Sequence, residues 1–177
     1  MAQLIMNWRE DGAPCAEPIF PQGVALVTFP ELPNAKEVWL DIVRFLDPDG
    51  TPIEESDYYE QAMLSYTHYR EDQCYFLTVE GVPAATITVI CDDGQKKGYI
   101  HMVASKPEFR GRGLGHLLND VALKVLKDTG MQTAYLTTDD WRIPAIKTYL
   151  RAGFAPDLES EPDFKDRWQK IYEKIKA

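Results

Sequence analysis

Arg110-Gly111-Arg112-Gly113-Leu114-Gly115 stands between a short apolar run, Tyr99-Ile100-His101-Met102-Val103-Ala104, and a stretch with helical apolar spacing. The run before it reads as a buried strand, with Pro107 in the connection. After it, Leu114, Leu117, Leu118, Val121, Ala122, Val125 and Leu126 fall on one helical face, and Gly130 closes the helix. A glycine-rich turn at a helix start leaves several backbone N–H groups without intrahelical partners. With the positive end of the helix dipole and the two arginines, those amides form a cradle for phosphate oxygens. The stretch therefore reads as a pyrophosphate site.

Spacing narrows the ligand. A P-loop needs Lys-Ser or Lys-Thr directly after the last glycine, and here His116-Leu117 follow. A dinucleotide fingerprint needs a third glycine three residues past the second, where this chain has His116. Arg110-x-x-Gly113-x-Gly115 remains, and on turn chemistry alone a glycine-rich surface turn with solvated arginines remains open beside it. Downstream, Thr133-Ala134-Tyr135-Leu136-Thr137-Thr138 reads as a strand. It leads through Asp139-Asp140-Trp141-Arg142 into a helix carrying Ile143, Ala145, Ile146, Tyr149 and Leu150, ended by Gly153 before Phe154. Strand, Arg-x-x-Gly-x-Gly, helix, strand and then Pro-Ala-Ile-x-x-Tyr-x-x-x-Gly-Phe resembles the acyl-CoA half of the GNAT superfamily of acetyl-CoA-dependent N-acetyltransferases. The resemblance is specific over residues 97–156 and only architectural before them. It implies an α/β (mixed α+β) fold with a central, mostly antiparallel sheet of about six or seven strands and helices on both faces.

Working outward, 177 residues with 45% apolar content suffice for one well-cored domain and are few for two. We expect a single domain over 1–177, with 1–22 an N-terminal extension packed on it. No apolar run reaches membrane-spanning length. Arg9, Glu10, Asp11, Pro14 and Glu17 interrupt what would otherwise be a leader, so a cytoplasmic protein without membrane attachment is expected. Cys15, Cys74 and Cys91 are unevenly spaced and form no Cys-x-x-Cys pair. Neither a disulfide framework nor a metal site is expected, and Cys74 and Cys91 read as buried strand residues. A formal net charge of −9 argues against nucleic acid, whose affinity rests on Lys and Arg neutralising phosphates. It suits a cationic small molecule or basic peptide, although an acidic surface also simply keeps a protein soluble.

Toward the N terminus, Leu4-Ile5-Met6-Asn7-Trp8 reads as a short strand and Val24–Phe29 as the first secure one. A helix follows from Ala35 to Leu46, on Val38, Trp39, Ile42, Val43 and Leu46, broken by Asp47-Pro48-Asp49-Gly50. A second helix is expected from about Glu54 to Tyr66. Strands Cys74–Val79 and Ala84–Ile90 join at Glu80-Gly81-Val82-Pro83, and Asp92-Asp93-Gly94 turns into the strand before the glycine stretch. Three antiparallel strands and then a parallel crossover result. From about Glu161, Phe164, Trp168, Ile171, Tyr172 and Ile175 follow helical spacing. Family members usually close with an antiparallel hairpin, and this chain reads as replacing the last strand with that helix.

The resemblance assigns roles. It implies acetyl transfer from acetyl-CoA to the primary amine of a small molecule or peptide, by direct attack in a ternary complex. Val103, Ala104 and Ser105 would bond the pantetheine arm, and an amide near Val103 would face the carbonyl oxygen. Arg110, Gly111, Arg112, Gly113, Leu114 and Gly115 would hold the diphosphate. Tyr149 occupies the family's tyrosine position, where the phenol protonates the departing thiolate; a core tyrosine is the alternative. His101 is placed as the histidine that accepts the amine proton in the arylalkylamine branch, and alternation sets Tyr99, His101 and Val103 on one strand face. A hydrogen-bonded filler, with a water chain as base, is the alternative. Arg142 stands where the family often has asparagine, and pairs with an aspartate or reaches the diphosphate. Asp139 and Asp140 read as caps. Glu54, Glu55, Asp57, Tyr58, Tyr59 and Glu60 suit an ammonium ligand, but a solvated helix face produces the same composition and is the default reading. A non-catalytic acyl-CoA-binding sensor or interaction module is the alternative to an enzyme, and a homodimer is compatible with either.

Overall fold

The computed structural model describes residues 2–12, 17–47 and 50–176. The elements run β1 (Leu4–Arg9), β2 (Val24–Thr28), α1 (Ala35–Val43), β3 (Cys74–Val79), β4 (Val82–Asp92), β5 (Lys97–Ser105), α2 (Leu114–Asp128), β6 (Thr133–Thr138), α3 (Ile143–Arg151), β7 (Ala155–Pro156) and α4 (Phe164–Lys176). Among the described residues, seven strands form one sheet in the order β2-β3-β4-β5-β6-β1-β7. The β5–β6 pair is parallel and the other pairs antiparallel. The β3–β4 hairpin turns on Glu80 and Gly81, both at positive φ (50° and 79°), the backbone twist a two-residue hairpin needs.

Two apolar clusters cover the two faces of this sheet. One joins α2, α3 and α4 to Leu4, Met6, Trp8, Ile87, Val89, Ile100 and Leu136. The other joins α1 and a short helical segment to Cys74, Phe76 and Ala104. Cys74 and Cys91 are free and buried on β3 and β4; Cys15, together with Pro48 and Asp49 of the expected helix break, lies outside the described residues.

The N terminus departs from the expected extension. Leu4–Arg9 is a strand within the sheet, paired with β6 on one side and β7 on the other. Its alternation explains why: Leu4, Met6 and Trp8 are buried, while Asn7 and Arg9 face solvent. The place beside β6 that a closing C-terminal strand would take is thus filled from the other end of the chain. The C-terminal helix, expected from the spacing, locks it. Arg167 of α4 donates to Asp140 through Nε and Nη2 and to the Ala2 carbonyl through Nη1 (3.0 Å). Trp8→Ala should therefore cost about 3–5 kcal/mol, the range for deleting a buried aromatic ring, read as a lowered urea midpoint. A cost under about 1 kcal/mol would mean that β1 is dispensable.

The expected helix over Glu54–Tyr66 also differs. Helical backbone begins only at Tyr58 and ends in a π turn over Glu60–Leu64, where Ser65 N–H reaches back to Glu60 O (3.1 Å). Short helices depend on burying a face, and the packed residues Tyr59 and Met63 begin at that point, whereas Glu54–Asp57 have nothing apolar to bury. Among the described residues, no helix is long and apolar enough to cross a membrane.

Candidate active site

Between β5 and β6 the sheet opens. Their pairing ends at Ile100–Leu136, although β5 continues to Ser105. On its other side β5 carries a bulge: Met102 and Val103 oppose Ile87 alone, between the pairs Thr88–His101 and Thr86–Ala104. Met102 sits at φ +54°, uncommon for a residue with a side chain and frequent where a strand must re-aim its groups. The bulge corrects the expected alternation. Tyr99 and His101 keep one face, but Val103 packs toward the α2 side and Ala104 toward the α1 cluster. A cavity of about 470 Å³ fills the opening, lined by Tyr99, His101, Met102, Val103, Arg142 and Tyr149 among others.

At one rim lies the glycine turn. Gly111 and Gly113 have φ of 75° and 79°, and a Cβ on either would meet no atom within 4 Å. Protein packing therefore leaves the space above both glycines open, as a close-approaching ligand requires. The first bonds of α2 are His116 N–H and Leu117 N–H to Gly113 O (3.1 Å each), which leaves the preceding amides for a ligand. Leu114 turns into the core, and Gly115 lies against Thr148 of α3. Arg110, an exposed residue, donates to the carbonyls of Ser105 (3.2 Å) and Phe45 (3.2 Å), and so ties the end of β5 to the segment after α1. Arg112 lies over the Phe109 ring. A guanidinium satisfies backbone carbonyls as readily as phosphates, and hexapeptide spacing does not distinguish the two.

Tyr149 projects from α3 into the cavity wall, edge-on to Phe154, and burial pushes its phenol up to about 12. Arg142, at the N-terminus of α3, pairs with Asp139 (3.0 Å) and donates to Leu46 O (3.2 Å). Asp140 is held by Arg167, which keeps its carboxyl below the usual range. His101 is buried, with Nδ1 3.1 Å from Tyr99 Oη and Nε2 2.8 Å from Ala62 O; burial lowers its pKa from the ordinary imidazole value.

The acidic, aromatic stretch divides. Glu55 and Tyr58 line the cavity with Asp47, and burial first, then these two carboxylates, raise the Tyr58 pKa. Tyr59 belongs to the α1 core against Trp39, Glu60 pairs with Lys36, and Asp57 accepts from Gln61. Sequence reasoning missed Asp47, Thr137 and the positive-φ Met102. Strand alternation signalled Tyr99, but no residue type signals a bulge.

The model of the Acetyltransferase (GNAT) family matches residues 39–154. A mycothiol acetyltransferase of Tsukamurella paurometabola is 37% identical over 68 residues, 38% of this chain and 23% of that protein. One of Mycobacteroides abscessus is 41% identical over 61 residues, 34% of this chain and 21% of that protein. The chain thus spans less than a quarter of these curated relatives' length. Among solved structures, a GCN5-related N-acetyltransferase from Sphaerobacter thermophilus superposes with a TM-score of 0.63 at 21% identity, over 87% of this chain and 48% of that one. N-acetylglutamate synthase from Neisseria gonorrhoeae, complexed with coenzyme A and N-acetyl-glutamate, gives 0.56 at 14% identity, over 85% and 32%. These two similarities are of fold.

Proposed function

The chain belongs to the acetyltransferase (GNAT) family, and on that premise we propose that it moves an acetyl group from acetyl-CoA to the primary amine of a small molecule or peptide. The observation that carries this reading is the opening between β5 and β6, a cavity with Tyr149 on its wall and a glycine turn at its rim. Acetyl-CoA, when bound, supplies an acyl group already activated as a thioester. The amides of Gly111 to Gly115 would hold its diphosphate, and the β5 stretch Val103–Ser105, which has no β6 partner, would bond the pantetheine arm. An amide near Val103 would stabilise the developing oxyanion. Tyr149, kept protonated by burial, would give its proton to the leaving thiolate. His101 would accept the proton of the amine. Asp47, Glu55 and Tyr58 at the cavity wall suit an ammonium group.

Because relatives over part of the chain are named mycothiol acetyltransferases, the acceptor panel includes mycothiol-type compounds beside simple amines and peptides. Retention of Tyr149 and His101 around one cavity favours turnover over the non-catalytic alternative. The test is thiol release from acetyl-CoA across a panel of primary amines. His101→Gln should lose about tenfold or more in rate together with the acidic limb of the rate profile. That limb should lie below the ordinary imidazole range, because burial favours neutral His101, so activity is present above the lowered pKa and is lost as pH falls through it. A variant with full rate and an unchanged limb would make His101 a strand filler. Turnover of no amine, with intact acetyl-CoA binding, would restore the binding-module reading.

A further inference from the structure

Resting on the assignment of His101 as base, the geometry points to Tyr99 as the group that meets the acceptor amine: it takes the amine's proton on Oη while passing its own hydroxyl proton to His101 Nδ1. The tautomer of His101 carries the argument. Ala62 O can only accept, so Nε2, 2.8 Å away, must bear the proton of the neutral ring. That carbonyl is available because Ala62 lies within the π turn over Glu60–Leu64. Ser65 N–H returns to Glu60 O and Tyr66 N–H to Met63 O, so neither takes Ala62 O. With Nε2 so occupied, the basic lone pair of the imidazole is on Nδ1, and the atom facing it is Tyr99 Oη at 3.1 Å. Tyr99 must then donate to it.

The imidazole itself is buried, 9% exposed, whereas Tyr99 is half-buried. Tyr99 and His101 both line the cavity between β5 and β6, but Tyr99 alone of the two also lines a second hollow of about 420 Å³ with Tyr66 and Tyr135, so its phenol is the more accessible end of the pair. The spacing of two along β5 puts both side chains on one face, ahead of the bulge at Met102. The titratable and charged groups around the imidazole are Tyr99 on its own strand and Tyr66 after the π turn, with ring centroids 4.9 and 4.8 Å away. Across the cavity stand Tyr58, Glu55, Asp47, Arg142 and Tyr149. Burial, with Tyr66 and Tyr135 nearby, raises the Tyr99 pKa, while Thr137 lowers it. The raised value disfavours a free tyrosinate, so the two proton transfers belong together.

The transfer balances. The acceptor enters as its ammonium ion: one N–H bond of that ion breaks as an O–H bond forms at Tyr99, and the original Tyr99 O–H bond breaks as N–H forms at His101 Nδ1. Tyr99 ends neutral, His101 ends as imidazolium still donating from Nε2 to Ala62 O, and the amine is left with the lone pair it needs for attack. The proton returns to solvent by the reverse path after product leaves.

Two measurements test this. In protein carrying 15N-histidine, His101 is one of three histidines, and its neutral ring should carry the proton on Nε2. A neutral ring protonated on Nδ1 overturns the relay without any acceptor being needed. Then Tyr99→Phe and His101→Gln are compared with the best acceptor of the amine panel, each with its acetyl-CoA-induced thermal shift as evidence of fold and cofactor binding. Tyr99→Phe should keep that shift, lose about tenfold or more in kcat, move the Nδ1 resonance of His101 and change the acidic limb as His101→Gln does. Wild-type kcat and limb in Tyr99→Phe, beside their loss in His101→Gln, would overturn the relay and leave His101 as the base. Wild-type behaviour in both variants would overturn the base assignment as well.

Discussion

Tyr149→Phe should lower turnover by roughly 10- to 1,000-fold while leaving acetyl-CoA affinity nearly unchanged, the signature of a group needed in the transition state more than in the ground state. The ring is 6% exposed and packs edge-on against Phe154, and phenylalanine keeps both burial and contact, so little stability should be lost. What goes is one proton. Burial pushes the phenol up to about 12, so it is fully protonated at neutral pH and holds the proton a leaving thiolate would take, while Arg142 pulls the other way. Because folded Tyr149 titrates above an exposed tyrosine, its protonation favours the fold below about pH 10, and that contribution is lost as pH rises through about 12. The rate of the wild type should therefore show no alkaline limb from Tyr149 in the physiological range. kcat is measured with thiol detection and affinity by thermal shift. Wild-type kcat in the variant would leave Tyr149 with packing alone.

How far such roles were legible in the chain depended on whether the signal was local. β3 and β6 run over the residues expected, Cys74–Val79 and Thr133–Thr138, because β-propensity and turn chemistry sit in the same few residues. β1 was legible as a strand from Leu4, Met6 and Trp8, but its neighbours were not, since pairing with β6 joins residues far apart in sequence. The period of Tyr58, Tyr59, Ala62, Met63 and Tyr66 cannot tell an α turn from a π turn, nor where burial begins. Yet that π turn leaves Ala62 O for His101. In the candidate site, the glycine turn was legible because close backbone approach demands glycine at fixed spacing. The direction of Arg110 was not: its partners, the carbonyls of Ser105 and Phe45, exist only after α1 has docked on the sheet. Strand alternation anticipated Tyr99 beside His101, and failed two residues later at the Met102 bulge.

Gly113→Val should abolish the thermal shift that coenzyme A produces. At a hundredfold excess over the dissociation constant, a ligand of the native state stabilises it by about 2.7 kcal/mol. For a chain of this size that is about 5–10 °C in melting temperature. Gly113 sits at φ +79° as the residue before α2, and its hydrogen would be replaced by a branched side chain in the open space above the turn. In the free protein that side chain meets no neighbour within 4 Å of its Cβ, so the cost is backbone strain of about 1–2 kcal/mol rather than a clash. The variant should fold with a melting temperature a few degrees lower. A diphosphate approaching the amides of Gly111 to Gly115 would meet the new methyl groups, and its oxygens would lose the short hydrogen bonds that only bare backbone permits. The difference between melting temperatures with and without coenzyme A separates strain, which lowers both, from lost binding, which removes the gap. Gly113→Ala, with one methyl group in place of the branched chain, should keep part of the shift. A full shift in a folded Gly113→Val protein would place the diphosphate elsewhere on the chain.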